Sequence, residues 1–301
     1  MNEQYKQDFL RAGALASQVR AFGKALIVKG ASYNAVIGKI HQKIVELGGR
    51  AAFPPQIALN DVAAHFLPQP GRDIIFSDEV VKLDIGVCYQ GAIGDCAVTV
   101  DLSGKYQKLI DAAEAALLAA EQSIKVGQPI RSVGKIIEET ILSYGFRPVR
   151  NLAGHGLGCY EVHTPPSIPN YDDKSTGVIK PGMTFAIEPF ATDGKGMIYD
   201  AGSPTIFSLT GKQSGKHLAY SEIARRLLAK IQEFNGLPFA IHDLIGEGES
   251  SLGVKIGLAE LLRLNVITGY APLLEEGHGM VAQAENSVLV DNQGQVFITT
   301  R

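Results

Sequence analysis

The sequence predicts an α+β protein made of two related halves, each a pair of helices followed by strands. Three observations lead there: apolar residues at helical spacing open the chain, a β-rich hairpin pattern covers residues 80–102, and the early helix, helix, glycine order returns about a hundred residues later. Residues 5–27 carry Phe9, Ala12, Leu15, Val19, Phe22 and Leu26 at every third or fourth position, the stripe of an amphipathic helix. A second helix is predicted over 33–47, ending at Gly48 and Gly49. "GGRAAFPPQIALN" then predicts a short strand, broken by Pro54 and Pro55 and leading into a loop. Helices over 105–125 and 131–144, closed by Gly145, repeat the order. An offset of 97 residues matches Gly30 with Gly127, Val36 with Val133, Ile40 with Ile137, Ile44 with Ile141, Gly48 with Gly145 and Arg50 with Arg147. Such a duplication puts a site at the seam between the halves. Residues 217–266 differ. "SEIARRLLAKIQEF" and "SLGVKIGLAELLRL", joined through the turn "NGLPF" and a Gly/Glu-rich loop, predict a compact helical insert between strands of a single domain spanning 1–301.

Composition narrows the function classes. At 301 residues with 46% hydrophobic content, the chain can bury a sizeable core without staples. A net charge of -3 and a pI near 6.2 leave no basic footprint for nucleic acid or an anionic membrane. Cys88, Cys96 and Cys159 form neither CxxC pairs nor an even-numbered framework, which fits a reducing compartment. "MNEQYKQDFL" has no basic n-region or apolar h-region, and no apolar run is long enough to span a bilayer, so a cytoplasmic location without membrane attachment is expected.

The chemistry is carried by acids in apolar surroundings. In "VVKLDIGVCYQGAIGDCAVTVDL", Leu83, Ile85 and Val87 share one strand face and leave Asp84 on the other; Cys96, Val98 and Val100 likewise leave Asp95 opposite them. With Tyr89 and Gln90 as a two-residue loop, Asp84 would pair directly with Asp95, Cβ atoms about 5 Å apart. Like charges so placed repel unless a cation lies between them; the competing reading is two solvated aspartates on an exposed face. Glu188 in "KPGMTFAIEPF" and Glu285 in "MVAQAENSVLV" each put one acid inside an apolar strand-like run, where a carboxylate needs a cation or a proton. In "NLAGHGLGCYEVH", Gly154, Gly156 and Gly158 crowd His155, suiting close approach to a phosphate, a metal or a neighbouring strand. The phosphate reading is poor, because no helix or Lys-Ser/Thr pair follows. Four acids and one histidine suit two divalent ions of the Mn, Fe, Co or Zn type sharing bridging carboxylates. The glycines would then let the His155 strand approach the metal pair.

The ordered set Asp84, Asp95, His155, Glu188, Glu285, with its D-x10-D spacing, resembles the methionine aminopeptidases over nearly the whole chain. The 96 residues between Glu188 and Glu285 look like the helical insert of the type II branch found in archaea. The resemblance implies a pita-bread fold with pseudo-twofold halves. It also implies two metals held by those five residues, a water activated between them, and Glu188 as proton shuttle. "AAFPPQIALNDVAAHFLP" resembles the family segment ending in a catalytic-site histidine, here His65, and "HTPPSIPNY" the segment opening with the histidine that contacts the substrate carbonyl, here His163. Phe53, Tyr270 and Leu273, and less closely Ile206, match positions lining the methionine side-chain pocket. Asn286 and Ala284 depart from the pattern, where the family usually has His and Phe. The implied activity is removal of initiator methionine from nascent proteins and peptides with a small second residue, by a monomer transiently associated with the ribosome. The competing readings are an X-Pro peptidase of the same fold, for whose extra N-terminal domain 83 residues before Asp84 leave too little chain, and a non-enzymatic binding protein, which typically loses ligands.

Overall fold

In the computed structural model, which describes residues 1–211, 220–246 and 248–301, the first half runs α1 (Glu3–Leu26), α2 (Tyr33–Glu46), β1 (Arg50–Ala51), β2 (Gln56–Leu59), β3 (Val62–Ala64), β4 (Val80–Tyr89) and β5 (Ala92–Asp101). The second half repeats the order: α3 (Gln107–Ser123), α4 (Ile130–Ser143), β6 (Arg147–Pro148), β7 (Ala153–Gly158), β8 (Glu161–Pro169), β9 (Thr184–Ile187) and β10 (Phe190–Thr192). It continues through β11 (Ile198–Asp200), β12 (Ile206–Leu209), α5 (Glu222–Gln232), β13 (Phe239–Ala240), α6 (Ile241–Leu244), α7 (Ser251–Arg263), β14 (Ile267–Tyr270) and β15 (Leu273–Glu275). The strands β16 (Val281–Gln283), β17 (Asn286–Val290) and β18 (Val296–Ile298) follow.

Each half buries its helix pair against its own sheet. Leu15, Val19, Val36, Ile40 and Ile44 of α1 and α2 pack on Leu83, Ile85, Val87 and Cys96, the apolar hairpin face expected from sequence. Leu109, Ala113, Leu117, Val133, Ile137 and Ile141 of α3 and α4 pack on Phe185, Ile187 and Val288. The equivalence of Ile40 with Ile137 and Ile44 with Ile141 therefore marks the same inward face twice. The helices α5 and α7 lie between β12 and β14 and bury Leu227, Ile231, Val254, Leu258 and Leu261 in a cluster of their own. The start of the predicted insert, 217–219, lies outside the described residues.

One local expectation holds and another needs correction. Pro54 and Pro55 break the predicted strand into β1 and β2, which re-enters the sheet beside β4 with Gln56 opposite Asp84 and runs on into the turn at Asn60 and Asp61. Proline lacks the N–H a ladder needs, so the register with β4 lapses after Ala51 and resumes at Gln56. The hairpin turns at Gln90 and Gly91, not Tyr89 and Gln90, with positive φ at both (52° and 89°). Such a turn matches the strand twist and favours glycine at its second position. The register consequently sets Ala97 opposite Asp84 and Gly86 opposite Asp95. The carboxylates share a face as diagonal neighbours, not as a direct pair.

Candidate metal centre and substrate cavity

Glu188 and Glu285 do not sit inside strands. Each occupies a break, Glu188 between β9 and β10 where Pro189 interrupts the run, and Glu285 between β16 and β17. Pairing on both sides of the break keeps one register, with Asn286 opposite Ile187 and Gln283 opposite Phe190, so the two glutamates face each other across the gap. An isolated bridge from Glu285 to Ala97 ties this pair to the aspartate hairpin.

His155 arrives on β7, wedged between β8 and β9. The flanking glycines serve close approach of the neighbouring strands: a Cβ on Gly154 would lie 2.3 Å from the Ala186 carbonyl oxygen, and one on Gly156 would lie 2.4 Å from that of Pro165. Gly154→Ala is expected to cost about 1–3 kcal/mol, since backbone must shift to admit the methyl group. Urea unfolding of the variant checks this; stability equal to wild type would refute the close-approach argument.

These strands surround a cavity of about 540 Å³, within the range of small-molecule sites. Asp84, Asp95, His155, Glu188 and Glu285 line it together with His65, His163, Phe53, Ile206 and Tyr270. Leu273 is not on its wall; it packs with Ala63, Val149 and Phe190 in an adjacent apolar cluster. The competing reading of two solvated aspartates is not what the structure shows: Asp95 is 1% exposed, and one carboxylate oxygen of each, Oδ1, is buried with no hydrogen-bond partner among the described residues.

The electrostatics are strained accordingly. Burial pushes the Asp84 carboxyl up to about 7, with a bond from Gln283 opposing the shift. Burial, then the Asp84 charge, raises Asp95 well above the carboxylate range. Burial with Asp84 and Asp95 raises Glu188, and burial with Asp95, Glu188 and Asp84 raises Glu285. His155 is lowered to about 3 by burial and then by His163, whose ring centroid lies 4.3 Å away. It is therefore neutral at neutral pH, able to serve as a ligand, with Nε2 3.5 Å from Glu188 and 3.8 Å from Asp95. Ligand atoms of Asp95, His155 and Glu285 all lie within 4.8 Å of one another. Orphaned carboxylate oxygens, mutual repulsion and a neutral imidazole fit a divalent cation, which would satisfy all three.

The sequence matches the model of metallopeptidase family M24 over residues 7–291. A protein of Methanocaldococcus jannaschii named methionine aminopeptidase is 39% identical over 297 residues, 98% of each chain. The chain belongs to the methionine aminopeptidases of metallopeptidase family M24. Its fold is that of a methionine aminopeptidase structure from Thermotoga maritima, at TM-score 0.70 and 21% identity over 100% of this chain and 98% of that one. A thermophilic Arx1 shares the fold too, at TM-score 0.83 and 14% identity over 99% and 91% of the chains. Likeness at such identities shows architecture alone; the metallopeptidase family and the aminopeptidase activity rest on the family match and the curated relatives.

Within this M24 chain several residues next to the candidate ligands give no signal in the sequence. Arg20 of α1 donates from Nη1 to the Glu285 carbonyl at 2.9 Å and to Asn286 Oδ1 at 2.8 Å, and from Nη2 to the Thr300 carbonyl at 2.7 Å. Asn286 Nδ2 donates to Glu121 at 2.6 Å, and the Thr300 hydroxyl donates to Asn286 Oδ1 at 2.8 Å. An amide both accepts and donates there, which accounts for the asparagine beside the last acid. Gln56 Oε1 accepts the backbone N–H of His65 at 2.7 Å and pins that residue in a left-handed conformation, φ 60°. A lone arginine or glutamine in an amphipathic pattern gives no sequence signal of such partners.

Proposed function

We infer that the chain is a dinuclear-metal aminopeptidase that removes N-terminal methionine from nascent proteins and peptides, preferring a small second residue. The observation that carries the reading is the coexistence, in one cavity, of the five-residue acid and histidine cluster with an apolar wall and two further histidines. Asp84, Asp95, His155, Glu188 and Glu285 would hold two divalent ions (Co, Mn, Fe or Zn). Bound there, such ions supply Lewis acidity, acidifying water and offsetting charge that develops on the scissile carbonyl oxygen.

The protein's own groups divide the remaining work. Phe53, Ile206 and Tyr270 offer an apolar surface for an unbranched thioether side chain. The space for Phe53 comes from Gly86, where a Cβ would meet the ring at 2.3 Å. The Tyr270 hydroxyl is held by Ser208 at 2.8 Å. Burial lowers His163, so it meets the substrate carbonyl as a neutral donor. His65, lowered to about 4 by burial and then by His163, stacks edge-on with Tyr270 at 5.4 Å and orients the scissile amide or leaving group. Glu188, whose carboxyl is raised, accepts a proton from water and returns it to the leaving amine. This reading treats 1–301 as one catalytic domain with 217–266 as its insert, working as a cytoplasmic monomer on chains at the ribosome. No helix of the described residues is long and apolar enough to cross a membrane.

Amino-acid release from Met-Ala-Ser and Ala-Pro-Ser, by protein stripped of metal and reloaded with Mn, Co, Fe or Zn, tests the proposal. Metal-dependent release of methionine from the first peptide alone is expected. Cleavage of the second would move the substrate to the X-Pro class, and cleavage of neither would favour a binding protein.

A further inference from the structure

The two halves meet where β5, carrying Asp95, runs beside β16 and β17, which flank Glu285. A regular antiparallel ladder does not form along this line. Its one backbone bridge, between Ala97 and Glu285, has both N–H···O distances at 3.3 Å, against about 2.9–3.0 Å for an ordinary bond. Two residues beyond the bridge on each strand, a hydroxyl takes the place of the ladder. Thr99 Oγ1 accepts the Gln283 N–H at 2.8 Å and donates to the Gln283 carbonyl at 2.7 Å. On the other side Ser287 Oγ accepts the Asp95 N–H at 2.7 Å and donates to the Asp95 carbonyl at 2.8 Å.

The pattern is symmetric about the bridge, one hydroxyl from each half, and both residues are buried, at 3% and 0% exposure. Each hydroxyl satisfies one backbone donor and one acceptor that would otherwise be orphaned. An oxygen inserted between two backbones also keeps them farther apart than direct N–H···O=C pairing would. The residues gripped in this way bear on the metal cluster. Asp95 is a ligand candidate, and Gln283 Nε2 reaches Glu285 Oε2 at 3.4 Å.

We propose that Thr99 and Ser287 are positioning residues whose hydroxyls set the separation of the two half-sites, and so the geometry offered to the cations. The inference rests on the divalent-metal reading above. Without either hydroxyl the strands shift at the seam, and the carboxylates of Asp95 and Glu285 no longer stand at their bonding separation.

Calorimetric titration of metal-stripped wild type, Thr99→Val, Ser287→Ala and Thr99→Ser with Mn(II) and Co(II), with the visible spectrum of the Co(II) forms, tests this. The two hydroxyl-free variants should bind about 10–100-fold more weakly, the magnitude usual for loss of a residue supporting a metal ligand, and should shift the Co(II) bands. Thr99→Ser should restore both. Folded variants with lowered melting points but wild-type affinity and spectrum would overturn the proposal and leave a structural role only. A wild type that binds no divalent cation would overturn the metal reading and this inference together, a distinct result. Should the hydroxyl-free variants not fold, amide exchange in the wild type decides. Cation binding should slow the Asp95 and Gln283 amides more than that of Leu83, and equal protection would overturn the proposal.

Discussion

Glu188→Gln lowers methionine release by about 10²–10⁴-fold, the range for loss of a general acid–base group, while the fold and the bound metal persist. The amide keeps the volume of the carboxylate and an oxygen for a cation but cannot take up a proton. The position favours an acid–base role: Glu188 sits at a strand break opposite Glu285, with His155 Nε2 3.5 Å from its oxygen. In the metal-free protein, burial and the charges of Asp84 and Asp95 raise its carboxyl. The measurement is turnover on Met-Ala-Ser at equal metal content, with circular dichroism to confirm the fold. Turnover within a few-fold of wild type in a metal-replete variant would remove Glu188 as the proton carrier.

Above about pH 6.5, the ordinary histidine value beyond which the buried neutral imidazoles of His65, His155 and His163 no longer oppose the trend, metal-stripped protein loses stability as pH rises through about 7, where burial places Asp84. Across that window the folded carboxyl holds a proton that the unfolded one has released. The free energy of unfolding therefore falls with rising pH. Asp95, Glu188 and Glu285 are raised as well and act in the same direction. Divalent cation acts oppositely, since its ligands must be deprotonated, and at a thousandfold excess over Kd it adds about 4 kcal/mol. Thermal melts with chelator and with Mn(II) at pH 5, 6, 7 and 8 should separate progressively as pH rises. Asp84→Asn should flatten the chelator series and narrow the separation. A cation effect independent of pH, or an Asp84→Asn series matching wild type, would contradict the account.

Local periodicity carried much of the fold, and it did so for a physical reason. Leu83, Ile85 and Val87 alternate because one face of β4 is covered by helices, and Ile40 with Ile137 recur because both halves solve the same packing problem. Alternation likewise put Asp84 and Asp95 on the opposite face. It did not fix their register, because Tyr89-Gln90 and Gln90-Gly91 are both plausible two-residue loops and the choice turns on which pair tolerates positive φ. The strand breaks that set Glu188 against Glu285 were hidden, since a proline beside an acid reads equally well as the end of a strand. Arg20, Thr99 and Ser287 were hidden more deeply. Their partners lie 265, 184 and 192 residues away, and no local spacing encodes a contact at that range.

Arg20 connects the start of the chain to its last strands, and so does Lys6, paired with Asp291 at 2.8 Å. Synthesis proceeds from the other end of that relationship. While the ribosome extends the chain, α1 can form early on its own hairpin, but the residues that Arg20 grips emerge 265 to 280 residues later. Closing so long a loop carries an entropy cost that only the completed seam offsets. Assembly of the cluster thus waits until the chain has been made through Glu285 and beyond. Cation capture is expected as the closing step of maturation, and a nascent chain stalled before Glu285 would possess both aspartates and the histidine yet lack a finished site.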